Sequence, residues 1–208
     1  LVDMIVLKLL RDEHQEQKQG TKTTLGDAKT PENMLGSMPS LEAECWRARA
    51  IQYLNSGGGV CDVAGGSGHV SMALGLLGIK STVIDPRERV GMLPGRDRKV
   101  WKRALKKQQQ QNYENCMVCQ PVVVPYETQR SWFGVAPDVA DSSFRHPDRE
   151  TVSVCNEDSS LVKSASAIVA LHPDEATGEA VRVAISKRIP FVVVPCCVFA
   201  RLFPLRRI

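Results

Sequence analysis

The chain has 208 residues, room for one domain with extensions or at most two at about 150 residues per domain. Its 43% hydrophobic and 24% charged residues exclude collagen-like, wholly disordered and multi-span membrane classes, and no apolar run approaches the roughly 18 residues of a membrane span. Lys and Arg number 27 against 23 Asp and Glu, and the formal charge of +4 permits an anionic partner without requiring one.

The seven cysteines (Cys45, Cys61, Cys116, Cys119, Cys155, Cys196, Cys197) are odd in number and several sit in apolar runs, so an intracellular, reducing compartment is expected rather than a disulfide framework. The sequence opens on Leu1 with an apolar stretch but no small-residue cleavage site. No secretory signal is therefore expected, and removal of an organelle-targeting segment stays open.

In chain order, Val2, Ile5, Val6, Leu9 and Leu10 have helical spacing and predict a short amphipathic helix docked on the main body. From Glu13 to Met38 the chain is poor in large apolar residues and reads as a linker. Ser40 is the expected N-cap of a helix with Leu41, Cys45, Ala48 and Tyr53 on one face, ended by Asn55 and Gly57 to Gly59. Residues 1–39 are thus taken as helix and linker, and 40–208 as the main domain.

The stretch GVCDVAGGSGHVSMALGLLGIKSTVIDP predicts strand, glycine turn, helix and strand. Val60 to Val63 is apolar and β-branched, while Val70, Ala73, Leu74 and Leu77 share a helical face and Gly78 caps its end. Ser81 to Ile84 is a second strand, ended at Asp85 because Pro86 cannot continue a ladder. A similar run follows later: Ala165 to Leu171 as strand, a helix opened by Asp174 or Glu175, and Phe191 to Val194 as strand. Alternating strands and helices imply an α/β fold with a mostly parallel sheet and helices on both faces. Between about 86 and 163 lies a basic, irregular insertion, in which Pro121 to Val124 or Thr151 to Cys155 supplies a third core strand.

Parallel α/β sheets bind ligands beyond the C-terminal ends of their strands. Gly65, Gly66 and Gly68 fall there, and a Cβ would keep the backbone of such a turn from a ligand. Asp85, at the end of the second strand, is placed to accept hydrogen bonds from both ribose hydroxyls of an adenosine. Asp62 precedes the turn. A carboxylate there repels a pyrophosphate, whereas it tolerates or favours a cofactor carrying a sulfonium and an ammonium.

DVAGGSG followed by Asp85 resembles motifs I and II of class I S-adenosylmethionine-dependent methyltransferases, with Ala64 where their first glycine often stands. ALHPDEATGEAV followed by VVVPCCVF resembles a branch with LHxCGD or KHxCGxATD at this place and CC or CCH after the next strand, including tRNA 2′-O-methylases. Asp174 and Glu175 replace its Cys-Gly, and Val198 stands where the tRNA enzymes have His. The resemblance covers roughly Gly58 to Phe199. It implies a Rossmann-like sheet, S-adenosylmethionine over Asp62, Ala64, Gly65, Gly66 and Gly68 with its ribose on Asp85, and methyl transfer; with the basic stretch 96–107 it makes RNA the preferred acceptor, a protein or a small molecule being the alternatives. The fold normally adds two strands after the last one read here, so a fragment or a degenerate domain is expected.

Glu157 or Asp158, after the third core strand, is the expected adenine contact. His172 is the expected general base, or alternatively a residue ordering the strand end; Asp174 is a second base or a helix N-cap. His69 is expected only to begin the first helix of the βαβ unit. Cys196 and Cys197 read as packing residues, and zinc shared with Cys116 and Cys119 is not expected because adjacent cysteines are awkward tetrahedral partners.

Arg96, Arg98, Lys99, Lys102, Arg103, Lys106 and Lys107 form a basic helical stretch around Trp101. It suits nucleic-acid phosphates, or is a solvated helix with Val100, Trp101, Ala104 and Leu105 toward the core. Two competing classes remain beside the methyltransferase. One is an inactive module that keeps the fold to bind RNA or assemble with protein; the other is a nicotinamide-dependent oxidoreductase.

Overall fold

A computed structural model describes residues 1–6, 8, 9, 12, 40–111, 122–134, 152–173 and 176–195. It divides into two compact units, Leu1–Tyr53 and Leu54–Ile208. Among the described residues no helix is long and apolar enough to cross a membrane.

In the first unit residues 2–6 are helical, with Ile5 and Val6 fully buried and Leu10 outside the described residues. Helix α1 (Ser40–Leu54) follows. Its buried positions are Trp46, Ala50 and Leu54, four residues apart, whereas Leu41, Cys45 and Ala48 of the expected stripe are exposed. Both stripes have helical spacing, and the one carrying the indole buries more apolar surface. The boundary between the two compact units falls at the end of this helix.

The second unit is an α/β domain of Rossmann-like architecture. Its elements run β1 (Gly59–Val63), α2 (His69–Leu76), β2 (Ser81–Asp85), α3 (Gly95–Gln111), β3 (Glu127–Phe133), β4 (Ser153–Cys155), α4 (Ser160–Ser164), β5 (Ala165–Leu171), α5 (Thr177–Lys187) and β6 (Phe191–Val194). The six strands form one sheet in the order β4-β3-β2-β1-β5-β6, and every neighbouring pair is parallel. Strands β1 and β2 are buried at every position and β5 at all but Leu171, which is why they read as unbroken apolar runs.

One core cluster joins Cys61 and Val63 of β1, Ile84 of β2, Phe133, Cys155 and Ile168 to Ala180, Val183 and Ala184 of α5. Side chains alternate along a strand, so Asp62 and Asp85 project to the opposite face. There α2 and α3 meet closely, since a Cβ on Gly75 of α2 would run into the indole of Trp101 and the carbonyl of Val124. The end of α2 is tied back to the chain before β1: Asn55 donates to the carbonyl of Gly78 at 2.8 Å and accepts from the N–H of Lys80 at 2.7 Å.

The third core strand is neither of the two segments expected for it. Val122 to Val124 stays outside the sheet, because Pro125 has no N–H to give a ladder, and pairing with β2 begins only at Glu127. Ser153 to Cys155 does form a strand, but at the edge, beside β3.

Strand order runs outward from β1 through β2 on one side and through β5 on the other. The connection therefore reverses between β1 and β5, and an open parallel sheet has its ligand crevice beyond the strand ends at such a point.

Candidate functional site

The turn between β1 and α2 begins at Ala64, a non-glycine residue with a left-handed φ of 54°. Gly66 and Gly68 follow at 55° and 84°. His172, one residue past β5, has the same conformation at 56°, and its N–H is held by the carbonyl of Val194 at 2.8 Å. Two side-chain-bearing residues in this region thus stand directly beyond the two strands that flank the reversal. Each costs on the order of 1 kcal/mol, and such strain concentrates where a chain must aim a group.

Asp62 is fully buried beneath this turn, not at its surface. Gly68 caps α2 and has no side chain to offer, so the carboxylate arrives from β1 instead: its Oδ2 accepts the Ser71 N–H at 3.1 Å and the Ser71 hydroxyl at 2.8 Å. Gly65 is needed above it, since a Cβ there would sit 2.5 Å from the Asp62 carboxyl carbon. The other oxygen, Oδ1, is buried with no hydrogen-bond partner among the described residues. Burial pushes the Asp62 carboxyl up to about 6 against the pull of both Ser71 hydrogen bonds, and the nearby Asp85 charge adds to the rise.

Asp85 is 2% exposed and fully engaged. Its Oδ2 accepts the Gly66 N–H at 2.9 Å and Arg87 Nη2 at 2.8 Å; Oδ1 accepts Arg87 Nε at 2.8 Å and the Arg87 N–H at 2.9 Å. Burial alone would raise this carboxyl, but the Arg87 hydrogen bonds and charge, with the Gly66 N–H, outweigh it and hold the group below its ordinary value. The bidentate fork lies over the turn, where a Cβ on Gly66 would meet Arg87 Nη2. Beside it the β2–α3 loop closes on the glycines: Gly91 donates to the Gly66 carbonyl at 2.7 Å, and the Tyr126 hydroxyl donates to the Gly91 carbonyl at 2.8 Å. Gly68 packs under the Tyr126 ring, 3.2 Å from where its Cβ would be.

The structure therefore brings Asp62, Ala64, Gly65, Gly66, Gly68 and Asp85 together, but as a covered layer. Asp62 touches Ser71 rather than a cleft, and Asp85 touches Arg87. His172 is exposed at the end of β5, and Asp174 lies outside the described residues, as do Cys116, Cys119, Cys196 and Cys197. His69 begins α2 as expected, its Nε2 3.2 Å from Asp97 on α3.

Glu157 and Asp158 are displaced from the expected adenine position because they follow the edge strand. Glu157 pairs with Arg182 at 3.1 Å and Asp158 with Lys163 at 3.4 Å. The residue beyond the strand next to β2 is Gly134, with a left-handed φ of 85° and the Glu179 side chain where its Cβ would be. Cys61 and Cys155 are buried packing thiols, the former pushed up to about 12 chiefly by burial.

Arg87 was not legible as a site residue, although its signal was present. An Arg two residues past a strand-terminal Asp, across Pro86, has the reach to fold back on that carboxylate. On α3 all seven cations are exposed, whereas Trp101 is 8% exposed. Val100, expected toward the core, is exposed instead, while Ala104 and Leu105 are half-buried. None of the seven pairs with an acid among the described residues, and Asp97 is turned toward His69.

No family model, no curated protein and no solved structure matches the chain.

Proposed function

We infer that the protein binds S-adenosylmethionine beyond the ends of β1 and β2 and transfers its methyl group, with RNA as the acceptor. The observation that carries this reading is the buried Asp62 carboxylate with an oxygen lacking any partner among the described residues, directly under the glycine turn. A negative charge held there, with no counter-cation among the described residues, fits a cationic ligand and disfavours a diphosphate. Asp85, at the end of β2 with two accepting oxygens, fits a vicinal diol. The cofactor, when bound, supplies a methyl carbon already activated by its sulfonium.

The chain's own part is alignment and proton removal. Asp62 sets the sign of the field and fixes the start of α2 through Ser71. Asp85 holds the ribose. His172 stands exposed past β5 and takes the proton of the accepting group. The cationic side of α3 neutralises phosphates of the acceptor strand.

A second reading, a binding module without transfer, is favoured by one specific feature: Asp85 is already saturated by Arg87 and Gly66, and the turn is covered by Arg87 and Tyr126. Titration calorimetry separates the two. Micromolar binding of S-adenosylmethionine that is lost in Asp85→Ala supports the enzyme; absence of binding supports the module. Where binding is found, transfer of labelled methyl to RNA and not to protein identifies the acceptor. A His172→Ala variant is expected to lose about 10²-fold or more in kcat, and full retained activity removes His172 as the base.

A further inference from the structure

We propose that Arg87 is a latch: its guanidinium occupies the place of a nucleoside's ribose on Asp85, and ligand entry requires its displacement. The proposal rests on the cofactor reading above and adds to it a residue that controls access.

Three observations carry it. First, the guanidinium engages both oxygens of Asp85 at 2.8 Å through Nε and Nη2, presenting two parallel donors to one carboxylate. That is the donor pattern a vicinal diol offers, one hydroxyl to each oxygen. Second, the same fork covers Gly66 on the side where its Cβ would project, so the backbone approach there is blocked by the Arg87 side chain, while Gly91 and Tyr126 close on the turn beside it. Third, the two partners differ sharply in exposure: the Asp85 side chain is 2% exposed and that of Arg87 is 63% exposed. The carboxylate is fixed at the C-terminal end of β2, bonded to the Gly66 N–H, whereas the arginine reaches it from solvent.

The exchange conserves the hydrogen bonding of Asp85. Two charge-assisted N–H donors leave and two hydroxyl donors arrive, while the Gly66 N–H and the Arg87 backbone N–H stay in place. The negative charge of Asp85 then lies beside the ribose, with Asp62 buried beneath the turn. An anion that captures the freed guanidinium, such as a phosphate of an acceptor strand, would favour the open state, and by linkage the two ligands would then assist each other.

Binding measured on wild type and Arg87→Gln tests the latch. If the open state is about a tenth of the population or less, the variant binds S-adenosylmethionine about tenfold tighter or more. The gain is expected for adenosine as well and lost for 2′,3′-dideoxyadenosine, a pattern that general loosening of the fold would not produce. Arg87→Lys keeps the charge without the fork and is expected to gain a smaller factor, which keeps the test open should Arg87→Gln fail to fold. Equal affinities in wild type and both variants overturn the latch and leave the cofactor reading standing. Binding by none of the three overturns both.

Discussion

Asp62 shows how a single buried acid is both an anchor and a liability. It caps the third residue of α2 from a neighbouring strand, yet one oxygen has no partner among the described residues and its carboxyl is pushed up to about 6. An acid whose native pKa exceeds its unfolded value binds more protons when folded, so stability falls as pH rises from about 4 to about 6 and is level above that. The rise from 3.8 corresponds to about 3 kcal/mol. Asp62→Asn is therefore expected to gain stability on wild type progressively over that window, read by urea unfolding at pH 4, 5, 6 and 7; a difference independent of pH would show that this carboxyl does not titrate there. Asp85 has the opposite sign: its lowered carboxyl contributes stability at neutral pH that is lost as pH falls through its folded value. Gly65→Ala is expected to cost about 1–3 kcal/mol, because its Cβ would land 2.5 Å from the Asp62 carboxyl carbon and that group cannot move without giving up Ser71. A neutral Gly65→Ala in thermal unfolding would contradict the tight fit.

At the scale of elements, α3 combines two jobs on opposite sides. Trp101 packs against Tyr126 with ring centroids 5.5 Å apart and fills the space left by Gly75, which fixes the helix on the sheet. The cations then have no choice but to face solvent. Seven of them, none paired with an acid among the described residues, raise the local positive potential above what a net charge of +4 conveys. If the surface holds an RNA strand, neutralising Lys99, Arg103 and Lys106 together as glutamines reduces the slope of log affinity against log salt by about 2, and filter binding over a salt series measures it. An unchanged slope would assign the helix to the solvated alternative. Gly75→Leu on α2 should instead unseat α3 and lower the melting temperature, since the indole and the Val124 carbonyl occupy the space its side chain needs.

For the whole molecule, the reversal of strand order between β1 and β5 places residues distant in sequence at one edge. Ala64 and His172 are both left-handed there, and their strands are paired in register through Asp62 and Val169. A ligand seated at that edge binds the folded chain alone, so saturating S-adenosylmethionine at 100 times its Kd is expected to add about 2.7 kcal/mol to unfolding stability, seen as a raised melting temperature. The same concentration should leave Asp85→Ala unshifted. A shift of equal size in that variant would place the ligand elsewhere.

The strand-turn-helix-strand unit and the β5–α5–β6 unit were legible because a parallel strand buried on both faces is written as a short β-branched run, and because Gly and Pro punctuate its ends. Strand β3 was not, since ETQRSWF buries only Ser131 and Phe133 and carries charge at its start. Its place beside β2 is set by Pro125 and by the ladder, neither of which leaves an apolar pattern. The site divides in the same way. The glycines and both acids follow from local chain chemistry, whereas the covering of Asp85 by Arg87, the burial of Asp62 under Gly65 and the removal of Glu157 to an edge depend on which strands lie side by side. Local propensity acts over a few residues; the exposure of a carboxylate is decided by everything that packs around it.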